Sequence, residues 1–468
     1  MAGLDRPGDV AMIEVANAAA TAAGHGQRVP FRAMDRSLWA VLFGTFTLRF
    51  STGLTGAMLA FYLARLDKDN VEDVSPIVVG LFSATFYLAE LVLSPLFGIL
   101  SDRLGHHRVM LYGPIFGGVA VVITAFTTNL WLLGGTRWLE GASTAASIPS
   151  ILGYIAIVTA GNETLRGKAA ARFEGATLAG LGAGFILAPT LFDRLGPTAF
   201  LANAVVYAIS FLIYRFGVSD PESERASIKL QHVGLRRYGQ LLSSAHVWLL
   251  APTWIAVNAS IGLWFSQSLF QLAKPDERFP DQFLLRGFTP TEITIGAIAI
   301  AVVFGAGIIW WGDRFARFRR TTIILFGVLG GLALAAAALV VNHTAGSTTG
   351  GMDSLLVGVA VAVTATGLFV LAGATPAAVG LLADVSERFP ADRGAIMGLY
   401  SVFLAIGQIS GSLLGGLAAE WRGMDGLIVA TAALLLVALI PLSRLRASER
   451  YVSGTSGAAS LDSTAAGG

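Results

Sequence analysis

The chain has no cysteine and few charges: Asp, Glu, Lys and Arg make up 13% of its 468 residues. The missing cysteine excludes disulfides, thiolate metal sites and cysteine nucleophiles, and leaves the compartment open. The scarcity of charge excludes a water-soluble globule of this length, whose surface would need far more charge to stay hydrated. Residues 1–36 carry Asp5, Asp9 and Glu14 and no basic-then-apolar pattern, so a soluble tail rather than a signal peptide is expected there. The net charge of +2 is scattered over short polar joints, so there is no patch for nucleic acid. What is abundant is apolar: 54% of residues, with a mean hydropathy of +0.67. This is the composition of an all-α, multi-pass membrane protein.

A helix needs about 20 apolar residues to cross a bilayer. Runs of that kind are predicted at 37–64, 76–100, 109–128, 130–158, 172–193 and 197–216, and again at 247–272, 290–311, 321–341, 354–382, 394–419 and 424–443. Asp220-Pro221-Glu222 stops the last helix of the first set. The expected organisation is a tail (1–36), a six-helix bundle (37–216), a linker (217–245), a second six-helix bundle (246–443) and a tail (444–468). The Ser/Gly/Ala-rich end of that last tail is expected to be unordered. Lys and Arg are about threefold more frequent in the tails, the linker and alternate joints than on the opposite face, which predicts cytoplasmic termini in a plasma or inner cell membrane.

The two sets repeat each other. Pro149 and Gly153 return as Pro376 and Gly380, Arg166-Gly167 as Arg393-Gly394, and Gly180 and Gly184 as Gly407 and Gly411, all at one constant offset. Asp102-Arg103 returns as Asp313-Arg314 at a shorter one. Tandem halves of this kind mark parallel-repeat transporters. Gly180, Gly184 and Ala188, like Gly407, Gly411 and Gly415, are spaced by four and lay small residues along one helix face. Such a row serves packing within one half or a seam between halves; its presence in both halves favours the seam.

The joint Gly98-Ile-Leu-Ser-Asp102-Arg103-Leu-Gly105-His106-His107-Arg108 lies between the second and third spans. Its spacing resembles the loop signature of the major facilitator superfamily. Arg137-Trp-Leu-Glu140-Gly141 in span 4 is similar to that superfamily's helix-4 motif, with Glu140 where Gln is usual. The resemblance covers nearly all of 37–443. It implies a twelve-helix transporter of two bundles, with Gly98, Asp102, Arg103, Gly105, Asp313 and Arg314 as a cytoplasmic gate. It also implies that spans 5 and 11 flank a cavity between the halves.

Charges inside the spans carry the chemistry. Arg49 and Glu90 fall near the bilayer centre, and Arg137 and Glu140 lie in the middle-to-outer part of span 4. Each costs at least ~2.5–3.5 kcal/mol in hydrocarbon and must be paired or wetted. Two readings stand: fixed ion pairs, Arg49–Glu90 and Arg137–Glu140, or a proton carried by Glu90 or Glu140. The second half offers Asn258, Gln267 and Trp264, which with Tyr87 are expected to line a substrate cavity. No span holds a metal-ligand cluster, a nucleophile constellation or a cofactor motif, so neither an enzyme nor a bound cofactor is expected. The expected partners are a small-molecule substrate, protons and lipid, with the chain as a monomer.

The expected activity is proton-coupled export of an amphipathic organic molecule. Proton-coupled uptake of a small, anionic metabolite is the alternative, and a non-transporting receptor or assembly factor on the same scaffold is the alternative of another class. The topology is directly testable. Reporter fusions at Ser227 and Asp281 are expected to give opposite signals, cytoplasmic for the first; equal signals would overturn the span count and the repeat together.

Overall fold

Polar caps and prolines set where the helices start. The Ser75 hydroxyl accepts from the Val78 amide, with Pro76 in the first helical position. Asn129 caps Leu132 in the same way. Thr289 and Glu292 form a reciprocal capping box, Glu292 amide to Thr289 hydroxyl and Thr289 amide to Glu292 carboxylate. The computed structural model describes residues 31–159, 163–219, 247–312, 314, 317–346, 351–387 and 393–465.

The helices of the first half are α1 (Phe31–Lys68), α2 (Pro76–Leu104), α3 (His106–Met110), α4 (Tyr112–Phe126), α5 (Leu130–Val158), α6 (Glu163–Leu195) and α7 (Ala199–Gly217). Those of the second are α8 (Val247–Ala273), α9 (Pro290–Gly312), α10 (Arg320–Thr344), α11 (Gly351–Leu371), α12 (Ala374–Glu387) and α13 (Arg393–Ala465). There is no strand among the described residues. Among the described residues, eight stretches are long and apolar enough to cross a membrane. Two of these, Ala171–Gly217 and Ser401–Ala447, run to 47 residues each. The first is broken by the 3-10 turn Gly196–Thr198, the second by non-helical backbone at Arg422 and Gly423.

Three boundaries differ from the sequence reading. The predicted span 109–128 starts with the short α3, turned off α2 at Gly105, whose φ of 98° suits glycine. The predicted span 354–382 is interrupted at Ala372–Gly373, where Gly373 lies against the Trp311 ring with no room for a side chain. The third is the carboxyl-terminal tail: helix continues to Ala465 through the stretch expected to be unordered, where alanine is frequent and proline is absent after Pro441. The expected linker at 217–245 falls almost wholly outside the described residues, as do most of the amino-terminal tail and Asp313.

The glycine rows do not form the seam. Gly180 and Gly184 face Phe46, Arg49, Phe50 and Leu54 of α1, within the first half. Gly407 and Gly411 face Ile255, Asn258 and Ala259 of α8, within the second. A repeated row therefore reflects the same packing done twice: each half closes its first helix on its fifth at backbone distance. The repeat also extends to the joints, since Gly153 receives the His106 ring and Gly380 the Arg320 side chain.

The seam uses other residues. Gly80 of α2 meets the Ser412 carbonyl and Gly416 of α13, and Gly416 meets Pro76. Gln267 donates to the Pro76 carbonyl at 2.9 Å, and Thr190 and Thr294 share a hydrogen bond at 3.3 Å. Lys274 pairs with Asp67 at 2.6 Å. Leu269, Phe270 and Ile293 of the second half join the core of the first. These contacts gather toward one end of the molecule, the end with the Lys68–Pro76 and Ala273–Thr289 connections. The second connection is firmly held, with Arg278 bonded to Asp276 and Glu420. Burial raises the Asp276 pKa, but hydrogen bonds from Arg278 outweigh it and leave the carboxyl below its ordinary value.

Two glycine substitutions separate a half from the seam. A methyl at Gly184 collides with the Phe50 carbonyl inside one bundle, so Gly184→Ala is expected to lower the melting temperature, by about 1–3 kcal/mol of strain. Gly80→Ala is expected to open the closed end instead. Labelling of a single cysteine introduced at Gln267 should rise in that background while melting changes little. Equal melting losses would mean that seam and bundle are one rigid unit.

Candidate functional site

Arg137 and Glu140 lie one turn apart on α5, a spacing that places both on one face. The Arg137 guanidinium donates directly to the Glu140 carboxylate. Both are sealed, at 6% and 1% exposure. The Phe86 ring of α2 packs 5.0 Å from the guanidinium, adding a cation–π contact. Helix α5 comes this close to α2 because Gly141 faces the Phe86 carbonyl and the Glu90 amide, where a side chain would collide. This pair matches the fixed-pair reading of the sequence.

Glu90 differs. It is half-buried, and among the described residues nothing gives its carboxylate a hydrogen bond or ion pair. Ser83, Tyr87 and Ser94 share its intermediate exposure. On the same helix Phe82, Phe86 and Ala89 are buried, while Leu81, Leu88 and Val92 are exposed and suited to lipid. The polar stripe thus runs along the border of the packed face.

Arg49 of α1 is 8% exposed and donates to the Thr144 hydroxyl at 3.4 Å. The direct Arg49–Glu90 ion pair suggested by their common depth is not formed. Depth along two helices does not fix the direction in which each side chain points, and Thr144 takes the donor. Arg49 lies within Coulombic reach of Glu90 and also of Glu174 of α6. Glu174 is exposed and was missed by the sequence reading, because it lies just inside the predicted span 172–193 and reads there as an end group. The signal was available: α6 begins at Glu163, so Glu174 is well inside the helix. The cluster sets the guanidiniums Arg49 and Arg137 against the carboxylates Glu90, Glu140 and Glu174.

Tyr87 lies beside Glu90, edge-on to Phe86 at 5.1 Å. Trp264 is half-buried and donates to the Thr431 hydroxyl at 2.9 Å. Asn258 and Gln267 do not face a cavity here, contrary to expectation. Asn258 donates to the Trp254 carbonyl and is covered by α13 at Gly407. Gln267 is fully buried in the seam. An apolar contact across the seam, Phe185 edge-on to Phe265 at 5.8 Å, was not anticipated; Phe265 itself is largely exposed.

Among the described residues, which do not include Asp313, the expected gate residues are not joined across the halves. Gly98 lies 3.8 Å from Pro149, an ordinary contact, Asp102 faces His106 at 3.9 Å, and Arg103 is exposed. Arg314 folds back on its own helix, bonded to the Trp310 carbonyl and stacked 3.5 Å over that ring.

Comparison with known proteins places this geometry. The description of the Major Facilitator Superfamily matches residues 41–373 and 284–461. The quinolone resistance protein NorA of Staphylococcus aureus (strain MSSA476) is 24% identical over 304 residues, covering 63% of this chain and 71% of that protein. Multidrug resistance protein 1 of Bacillus subtilis (strain 168) is 27% identical over 357 residues, covering 74% and 82%. The crystal structure of the nucleoside transporter NupG superimposes with a TM-score of 0.62 at 14% identity, covering 87% of this chain and 98% of that one.

The two central acids are expected to behave differently on neutralisation. Glu140→Gln strands a sealed guanidinium, so it should cost about 3–5 kcal/mol and lower the melting temperature of detergent-purified protein. Glu90→Gln removes no pair and should melt like the parent. Equal losses would show that Glu90 is as firmly engaged as Glu140.

Proposed function

Because the chain belongs to the Major Facilitator Superfamily, we propose that it is a proton-coupled exporter of an amphipathic organic molecule, working by alternating access. It is a multi-pass membrane transporter, not an enzyme. In this reading the twelve predicted spans form two six-helix bundles in the cell membrane, with both termini cytoplasmic. The conformation described is closed at the outer end by Asp67–Lys274, Gln267–Pro76 and Gly80–Gly416. The Asp102-Arg103 and Asp313-Arg314 joints then latch the opposite end in the other half of the cycle.

The observation that carries the proposal is Glu90: an acid in the middle of a helix, unpaired among the described residues, half-buried, and within Coulombic reach of Arg49. A group in that position can take a proton from one side and release it as Arg49 shifts with the helices. Glu140, locked to Arg137, has no such freedom and serves as a fixed countercharge. Relatives named for quinolone and multidrug resistance support an organic cargo. Arg49 is poorly placed to receive an anionic metabolite, since it is bonded to Thr144 and flanked by Glu90 and Glu174, which disfavours the uptake reading.

Proteoliposome flux tests this. Glu90→Gln is expected to abolish accumulation driven by a pH gradient while substrate exchange at equal pH continues. Full gradient-driven accumulation by this variant would sink the carrier role of Glu90. Absence of flux in the parent protein across a panel of amphipathic dyes would overturn export itself.

A further inference from the structure

At the closed end, far from the charge cluster, three segments bring chemistry-bearing side chains together. Asp281 comes from the connection between α8 and α9, His343 from the end of α10, and Asp425 from just past the break in α13. His343 Nε2 lies 2.9 Å from Asp425, and its Nδ1 lies 3.5 Å from Asp281. One donor atom from each residue falls within 4.8 Å of the others. We propose that these three residues form a binding site for a divalent transition-metal ion of the zinc class.

The donor set fits that ion. Zinc takes imidazole nitrogen and carboxylate oxygen at about 2.0–2.2 Å in a tetrahedron, which puts its donors a little over 3 Å apart. The His343 Nε2–Asp425 separation is already near that value, whereas Asp281 contacts Nδ1, the nitrogen on the other side of the ring, and one ion takes only one of the two. The remaining closure falls to Asp281, whose side chain is 53% exposed and has room to move. Asp425 is 6% exposed and held in place: Asn342 donates to its carboxylate at 2.9 Å, and its own amide donates to Gln282 at 3.2 Å. Outer contacts of this kind orient a metal ligand. Two carboxylates match a divalent charge, with Arg422 at the edge, 4.0 Å from Asp425. The imidazole selects the zinc class over magnesium or calcium, which prefer oxygen donors alone.

The position gives the site a consequence. The connection that supplies Asp281 begins at Lys274, which pairs with Asp67 across the seam. An ion held by Asp281, His343 and Asp425 pins that connection to the end of α10 and to the break in α13, and so supports the closed end. This does not depend on which substrate is carried or on proton coupling.

The test uses full-length protein in detergent, stripped with a chelator and titrated with zinc chloride while heat of binding and melting temperature are measured. The cysteine-free chain removes thiolate competition; the other histidines are His25, His106, His107, His232 and His246. Saturable one-to-one binding with a raised melting temperature is expected. Asp281→Asn should weaken it at least tenfold while the metal-free protein melts as before, and His343→Ala should abolish it. Magnesium should give no shift. Parental affinity in the Asp281→Asn variant would place the zinc on other histidines and overturn the site. So would absence of saturable binding, which would leave His343 as an imidazole hydrogen-bonded between two carboxylates, or an equal response to magnesium. If His343→Ala does not fold, Asp281→Asn decides alone.

Discussion

No water solvates a charge inside hydrocarbon, and the working parts of this protein follow from how its intramembrane charges meet that constraint. Arg137 and Glu140 meet it by pairing on one helix turn, sealed under Phe86. Arg49 meets it with a hydroxyl and two nearby acids. Glu90 is left without a partner among the described residues, on a stripe that borders the packed face. The same carboxylate group thus stands in two environments, locked to a guanidinium at Glu140 and unpaired at Glu90.

Rigid halves and a movable seam come from a second use of small residues. Inside each bundle, glycines bring backbones into direct contact, Gly180 and Gly184 on α1 and Gly407 and Gly411 on α8. Backbone contact leaves no soft side chain to yield, so a bundle moves as one body. Between bundles the contacts among the described residues are mixed: an ion pair, polar bonds, Gly80 against Gly416, and apolar side chains such as Phe270 and Phe265. They lie toward one end, so loss of them frees that end without disturbing either core.

Much of this was legible before any coordinates. The apolar runs coincide with helices, because length and hydropathy suffice where the surroundings are lipid. The Arg137–Glu140 pair was legible from a three-residue spacing within a single helix. The glycine rows were recognised but misassigned, since periodicity reveals that a face is smooth and not which helix lies on it. Glu174 was passed over because a span boundary was drawn too close to it.

Composition and periodicity by themselves determined an all-helical membrane protein in two repeated halves, with charges at known depths along their helices. Those are properties of one helix at a time, set by hydrocarbon outside and hydrogen bonds within. Only the tertiary structure decided that Arg49 turns to Thr144 rather than Glu90, that Gln267 closes the seam rather than lining a cavity, and that Asp281, His343 and Asp425 converge. Each of these depends on the rotation of one helix about its axis relative to another. That rotation is set by close packing among many side chains and backbone faces at once, which no local spacing encodes.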